Sequence, residues 1–194
     1  QQYYDCAGLK FTLFRGFYYY FLFSFLWRAK KRNFDQHGGI IFMKLYDCFM
    51  YFDEDLVLDL RLNVLNNYVD KFVIAEATKD HTGKDKKLNF NINNFSKFKN
   101  KISYIVVEDM PTNLKFYKKN WPVHHLRDQH QRNALARGYE NSSDEDLIMI
   151  SDIDEIPNPS KIKIFDVKNK YACFIQKNFQ SKINLLNITD KNWM

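Results

Sequence analysis

The sequence is poor in the residues that define several protein classes. Four prolines and six glycines in 194 residues leave no room for a collagen-like or linker-rich chain. Three cysteines, Cys6, Cys48 and Cys173, are too few and too scattered for a disulfide framework. No CxxC is present, and His124, His125 and His130 have no cysteine or histidine partner at zinc-finger spacing. The cysteines therefore read as small buried thiols and the histidines as structural or surface residues. The redox compartment stays open, with a lean towards a reducing one. No repeat is visible, and the only biased stretch is an aromatic run near the N-terminus. Long uninterrupted apolar runs are missing too. The longest, Gly16 to Trp27, falls short of the roughly 20 residues a spanning helix needs.

The net charge of +6 is local. Residues 1–42 hold Lys10, Arg15, Arg28, Lys30, Lys31 and Arg32 against Asp5 and Asp35, which places +4 there and leaves +2 for the rest. A nucleic-acid surface on the main domain is not supported by that distribution, and no nucleic-acid partner is expected. Lys84, Lys86 and Lys87 form a small basic loop that reads as solvated. For the apolar stretch 11–27 three readings stand: a short membrane anchor or interfacial helix, a signal-like segment, or a stretch foreign to the domain with Met43 as the true start. Membrane association rests on the first of these. The basic residues after the run would then keep the main domain in the cytoplasm. Asn94, Asn141 and Asn187 open Asn-X-Ser/Thr triplets, which matter only in a secretory lumen. The chain thus divides into an apolar and basic segment, 1–42, and a main domain, 43–194.

What is present in the main domain is alternation. Lys44 to Met50 is a buried-type strand. Asp53-Glu54-Asp55 suits a helix start, and Leu56, Val57, Leu60, Val64, Leu65 and Tyr68 recur at helical spacing, which predicts the packed face of that helix. Lys71 to Ala77 and Ile102 to Val107 are further strands, with a polar loop at 80–87 and a short helix near 92–101 between them. After Trp121-Pro122 a helix is predicted from Val123 to Tyr139, its inner face formed by Leu126, His130, Ala134 and Arg137, with Leu135 alongside. Leu147 to Ile150 is a fourth strand. A short helix at 161–166 and strands within 171–187, read as a hairpin, complete the pattern. Near-continuous apolar strands alternating with helices predict an α/β domain with a largely parallel, nucleotide-binding type of sheet.

The fourth strand runs into Ser151-Asp152-Ile153-Asp154-Glu155. Two carboxylates at i and i+2 on a strand end share one side of the chain. Their combined field suits a hard divalent cation, Mn²⁺ or Mg²⁺, which takes oxygen ligands and keeps room for substrate phosphate. Such a cation neutralises charge on a departing nucleoside diphosphate. The alternatives are a solvated acidic turn and a metal-dependent phosphatase or phosphotransferase using Asp152. The phosphatase pattern wants Thr two residues after the second Asp, where this chain has Ile156, and opens its domain with the motif strand, which here is the fourth.

Four ordered blocks carry a family resemblance: Met43 to Phe49, Arg61 to Thr78, Gln131-Arg132-Asn133-Ala134, and Ile150 to Pro159. Together they resemble glycosyltransferase family 17, whose best-known members are β-1,4-mannosyl-glycoprotein 4-β-N-acetylglucosaminyltransferases. The resemblance covers Met43 to about Trp193 and leaves 1–42 outside. It implies a GT-A type, Rossmann-like nucleotide-sugar-binding domain, UDP-N-acetylglucosamine as donor, a mannose-containing or related glycan as acceptor, and inversion at the anomeric carbon. It further implies Asp152 and Asp154 as metal residues, and Glu76, Thr78, Arg132 and Asp152 around the nucleotide sugar. The base that takes the acceptor proton is expected beyond Met194, so that the chain is read as the donor-binding part of a longer domain. An inactive nucleotide-binding fragment is the remaining alternative.

Overall fold

The computed structural model describes residues 43–112, 123–162, 171–179 and 185–187, together with the backbone pairs Tyr3–Tyr4, Lys10–Phe11 and Asn192–Trp193. Most of the aromatic stretch 11–27, Cys6, the Trp121-Pro122 turn and residues 163–166 of the last predicted helix lie outside these. Among the described residues no helix is long and apolar enough to cross a membrane.

Four strands, β1 (Leu45–Met50), β2 (Lys71–Ala77), β3 (Ile102–Val107) and β4 (Leu147–Ile150), form one sheet in the order β3-β2-β1-β4. Every pairing is parallel: Cys48 lies opposite Val73 on one side and Ile150 on the other, and Ala75 opposite Ile105. This confirms the mixed α/β reading. Apart from β1, which starts at Leu45 rather than Lys44, the strand bounds are those the apolar runs predict, because buried parallel strands carry few polar residues to blur their ends. Asp70 and Asp146 start the sheet: their carboxylates accept the backbone N–H groups of Leu45 and Lys44, at 2.8 and 2.9 Å. Both donors would otherwise be orphans at the strand entry.

Strand alternation divides the core in two. Leu45, Phe49, Phe72, Ile74, Leu147 and Met149 face helix α1 (Asp55–Leu65) and a 3₁₀ segment, Ile92–Phe98. Tyr46, Cys48, Val73, Ala75, Val107 and Ile148 face helix α2 (Val123–Ala134) and its 3₁₀ continuation, Leu135–Gly138. Gly138 permits that second contact. A Cβ there would stand 2.2 Å from a Val73 methyl, so only glycine lets the turn close on the sheet.

On both helices the packed face is shifted from the predicted one, although Leu65, Ala134 and Leu135 are buried as predicted. On α1 the buried residues are Leu58, Arg61, Leu62 and Leu65, whereas Leu56, Leu60 and Val64 are exposed, Leu56 to 84%. Two apolar stripes compete on this helix. The winning one contains an arginine, which its pairing with Asp47 on β1 makes affordable. On α2 the buried residues are Arg127, Gln131 and Ala134; Arg137 is exposed and Leu126 and His130 are only partly covered. Gln131 donates to the Ala75 carbonyl at 3.0 Å, and Arg127 to the Pro111 and His81 carbonyls at 3.1 and 3.2 Å. These bonds offset the cost of burying polar groups. Of the cysteines, Cys48 is buried, and burial pushes its thiol well above the usual range; Cys173 is exposed, contrary to the expectation of a buried thiol.

Beyond β4 come a single helical turn, α3 (Pro159–Ile162), and two short strands, β5 (Gln176–Lys177) and β6 (Asn192–Trp193), paired antiparallel. A bridge between Phe179 and Leu186 extends this pairing, so the predicted hairpin-like region is extended and antiparallel.

Candidate active site

In the order β3-β2-β1-β4, consecutive connections turn outward on opposite sides of β1. Between β1 and β4 the sheet therefore has a topological switch point, and a crevice opens beyond the carboxyl ends of those strands. The Asp152-Ile153-Asp154 segment sits at that crevice, directly after β4.

It is a turn rather than a strand end. Glu155 N–H donates to the Asp152 carbonyl at 3.1 Å, and the Glu155 carboxylate accepts Asp152 N–H at 3.0 Å. Ile153 is only 7% exposed and packs into the α1-side core. That anchor, not strand alternation, leaves the flanking aspartates outside: the Asp152 side chain is half-exposed and Asp154 exposed.

Beneath the turn lies Arg61, wholly buried. Its Nε and Nη2 donate to both oxygens of buried Asp47, at 2.8 and 2.7 Å. Nη2 also donates to Ser151 Oγ at 2.6 Å. Nη1 donates to the carbonyls of Asp152 and Ile153, at 2.7 and 3.1 Å, with Glu155 O at 3.4 Å. The guanidinium carbon stands 4.5 Å from the centre of the Phe49 ring. All five N–H groups are thus used, which a buried guanidinium requires. The turn's carbonyls point down to Arg61, and its carboxylates are left at the surface. Sequence reasoning missed Arg61, Asp47 and Ser151 as site residues. The available signal was a pair of misfits: one aspartate inside a buried strand, and one arginine among Leu58, Leu62 and Leu65.

Arg132 meets the motif from α2. Its Nη2 donates to Asp152 Oδ1 at 2.8 Å, and Asp128, one helical turn back, lies 3.5 Å away. Burial pulls its pKa down, but the carboxylates of Asp152 and Asp128 outweigh this and leave it raised, so the guanidinium stays charged. Arg132 and Asp152 are therefore brought together.

Glu76 and Thr78 stand elsewhere. They lie at the end of β2, two strand positions from β4, a separation of about 10 Å at ordinary strand spacing. Glu76 is wholly buried and fully engaged. It accepts from Lys86 Nζ, from Asn89 and Phe90 N–H at 2.7 and 3.1 Å, and from the Tyr104 hydroxyl at 2.8 Å. Burial and that last bond raise the Tyr104 phenol above its usual range. Lys86, read from sequence as solvated, is drawn in by Glu76 and lies 4.9 Å from the Phe52 ring centre. Thr78 exchanges backbone bonds with Val107 and Lys86, and its hydroxyl reaches the Val107 carbonyl at 3.4 Å. Glu76 accordingly fastens the 79–90 loop to the sheet. Gly83 at φ +95° turns that loop against Arg127, whose guanidinium leaves no room for a Cβ. Since all four partners of Glu76 donate, Glu76→Gln would set an amide N–H₂ against donors. We expect a loss of about 1–3 kcal/mol in denaturant unfolding and faster amide exchange at residues 86–90.

Facing the acidic turn is the segment of β5. Asp152, Asp154 and Glu155 on one side and Gln176, Lys177, Asn178 and Phe179 on the other line a cleft of about 330 Å³. Sequence reasoning did not assign this second wall. As to metal chemistry, no group of three or more His, Cys, Asp or Glu side chains converges among the described residues. Two carboxylates do suffice for Mg²⁺ or Mn²⁺, which are commonly held by one or two carboxylates plus substrate phosphate and water. The hard, all-oxygen donor set of Asp152 and Asp154 fits such an ion.

The parallel four-stranded sheet defines a mixed α/β domain compatible with a Rossmann-like glycosyltransferase fold. The family model for glycosyltransferase family 17 matches residues 26–184, most of the chain. The chain belongs to that family and is a glycosyltransferase by descent. The match begins upstream of Met43, within the segment the sequence blocks had left outside. No curated protein and no solved structure matches.

Proposed function

We propose that the chain is a metal-dependent, inverting GT-A type transferase. It would move N-acetylglucosamine from UDP to a hydroxyl of a mannose-containing or related glycan, forming a β-1,4 linkage. One observation carries this reading. The acidic turn is clamped from below by Arg61 at the switch point, so Asp152 and Asp154 are presented outward on a rigid base.

In this reading Asp152 and Asp154 hold Mn²⁺ or Mg²⁺, which when bound neutralises charge on the departing UDP. Arg132, permanently charged beside Asp152, orients that carboxylate and in this reading meets the diphosphate. Transfer is a single displacement. The acceptor oxygen bonds to the anomeric carbon as the bond to the β-phosphate oxygen breaks, and the hydroxyl proton passes to a base. We assign no base among the described residues. Glu76 and Thr78 then support the nucleotide pocket by fixing the 79–90 loop rather than through Glu76's own oxygens, which are taken. Association with a membrane through residues 11–27 remains part of the proposal.

UDP titrated calorimetrically into the chain tests this. Binding should be at least about tenfold tighter with Mn²⁺ than with a chelator present, a difference of about 1.4 kcal/mol. Equal affinity in the two conditions would sink it. The phosphatase reading predicts instead a beryllofluoride adduct at Asp152.

A further inference from the structure

The outer side of α1 carries an exposed apolar ridge. Leu56, Leu60 and Val64 lie one helical turn apart and are 84%, 55% and 37% exposed. The side that packs on the sheet, with Leu58, Leu62 and Leu65, points the other way. Single exposed leucines are ordinary, but three large apolar residues in line form a continuous patch, and such patches mark surfaces that meet a partner. Four-residue spacing is also the ridge by which two helices interdigitate.

Charge along one side of the ridge identifies the partner. The 3₁₀ segment Ile92–Phe98 runs beside α1 in the same direction: Asn94 donates to Asp55 at 3.3 Å, and Lys97 donates to Asn63 at 3.0 Å. Further along, Lys101 donates to the Asn66 and Val69 carbonyls, at 2.5 and 2.9 Å. That side is therefore acidic at its start, with Asp55 and Asp59, and basic at its end, with Lys97 and Lys101. Asp59 and Lys97 are both exposed.

A second copy of the chain, laid antiparallel about a two-fold axis at Leu60, matches this pattern. Leu60 then meets the partner's Leu60, and Leu56 meets the partner's Val64. At 1.5 Å of rise per residue, Asp59 comes within about 3 Å, measured along the helix, of the partner's Asn63, and so beside the partner's Lys97. Parallel packing has no such match, because it sets one acidic start level with the other. We propose that α1 is a self-association surface, through which two copies of this chain pair antiparallel, burying Leu56, Leu60 and Val64 and setting Asp59 against the partner's Lys97. Such an interface uses the same patch on both copies, as two-fold symmetry requires. A patch one helix long falls below the roughly 1,200 Å² of a standard interface, so the dimer is weak, with a dissociation constant on the order of micromolar. The acidic turn takes no part in it, and the proposal is independent of the proposed activity.

Sedimentation equilibrium of the full chain at micromolar concentrations should show monomer and dimer in exchange. Leu60→Glu, at an exposed position, should leave the urea midpoint unchanged and weaken association at least about tenfold, since two carboxylates then meet on the axis. Asp59→Lys and Lys97→Asp should each weaken it about fivefold, because like charges then face each other. Mixed in equal amounts, with one of them ¹⁵N-labelled, these two variants should form the heterodimer in excess of its statistical share in native mass spectrometry, since both cross pairs are again of opposite sign. The surface is overturned if the parent chain stays monomeric, or if Leu60→Glu associates as the parent does. A mixture of the charge variants that pairs without preference overturns the antiparallel arrangement.

Discussion

Arg61→Ala lowers the free energy of unfolding by about 3–5 kcal/mol, the usual effect of leaving one member of a buried ion pair without its partner. The reason is the number of groups that depend on this side chain. Asp47 is buried and both its oxygens face Arg61. Ser151 Oγ and the Asp152 and Ile153 carbonyls are satisfied by the same guanidinium. Alanine removes the donor and leaves a buried carboxylate and several acceptors unpaired. A fall of roughly this size should be read in urea as a shift of midpoint without a change of slope. A second variant separates stability from presentation. Replacing the pair by apolar residues, Asp47→Leu with Arg61→Met, removes the orphaned charge and should recover most of the loss, as apolar substitution of a buried ion pair commonly does. It does not restore the anchor for the turn's carbonyls. The double variant should therefore fold stably and still bind UDP in Mn²⁺ less tightly than the parent. If it binds UDP as the parent does, Arg61 serves the core alone.

The same side chain shows why the sheet was legible in the sequence and the helix faces were not. Strands β1 to β4 announce themselves by runs such as KFVIAEA and LIMI, and a buried parallel strand tolerates almost nothing else. A helix face is chosen by weighing stripes, and polar residues count against a stripe unless their partners are known. Arg61 is paid for by Asp47, and Gln131 by the Ala75 carbonyl; both partners come from other elements, so hydropathy spacing points away from the true face. The acidic turn was legible as chemistry, since paired carboxylates after an apolar strand suit a hard cation. Its geometry was not: the outward aspartates depend on Ile153 being anchored in the core and on three carbonyls gathered by Arg61. Glu76 illustrates the converse. Its place at a strand end resembles that of a ligand residue, but its oxygens belong to Lys86, Asn89, Phe90 and Tyr104, contacts from a loop and a neighbouring strand that no local pattern records.

Asp154→Ala should separate function from folding most cleanly. Asp154 is exposed, and its only hydrogen bond among the described residues is made by its backbone carbonyl, to Ile156 N–H at 3.0 Å. Truncating such a side chain changes stability by about 0.5 kcal/mol at most. The turn keeps its shape, because it is held by Ile153 in the core and by bonds of Arg61 and Glu155 that do not use the Asp154 carboxylate. Yet half of the proposed cation site is gone. Metal stabilisation of a leaving diphosphate is worth several kcal/mol, so transfer should fall about a thousandfold. Mn²⁺ should also no longer tighten UDP binding. Asp152→Asn gives the contrasting case. Its carboxamide oxygen can still accept from Arg132, so the contact to α2 survives while a charge is lost, and the metal effect should shrink without the helix shifting. Arg132 itself is held by Asp128 as well as by Asp152, which keeps it in place in either variant. If Asp154→Ala binds UDP in Mn²⁺ as the parent chain does, the outward carboxylate is a solvated turn residue, and the metal reading of this crevice is wrong.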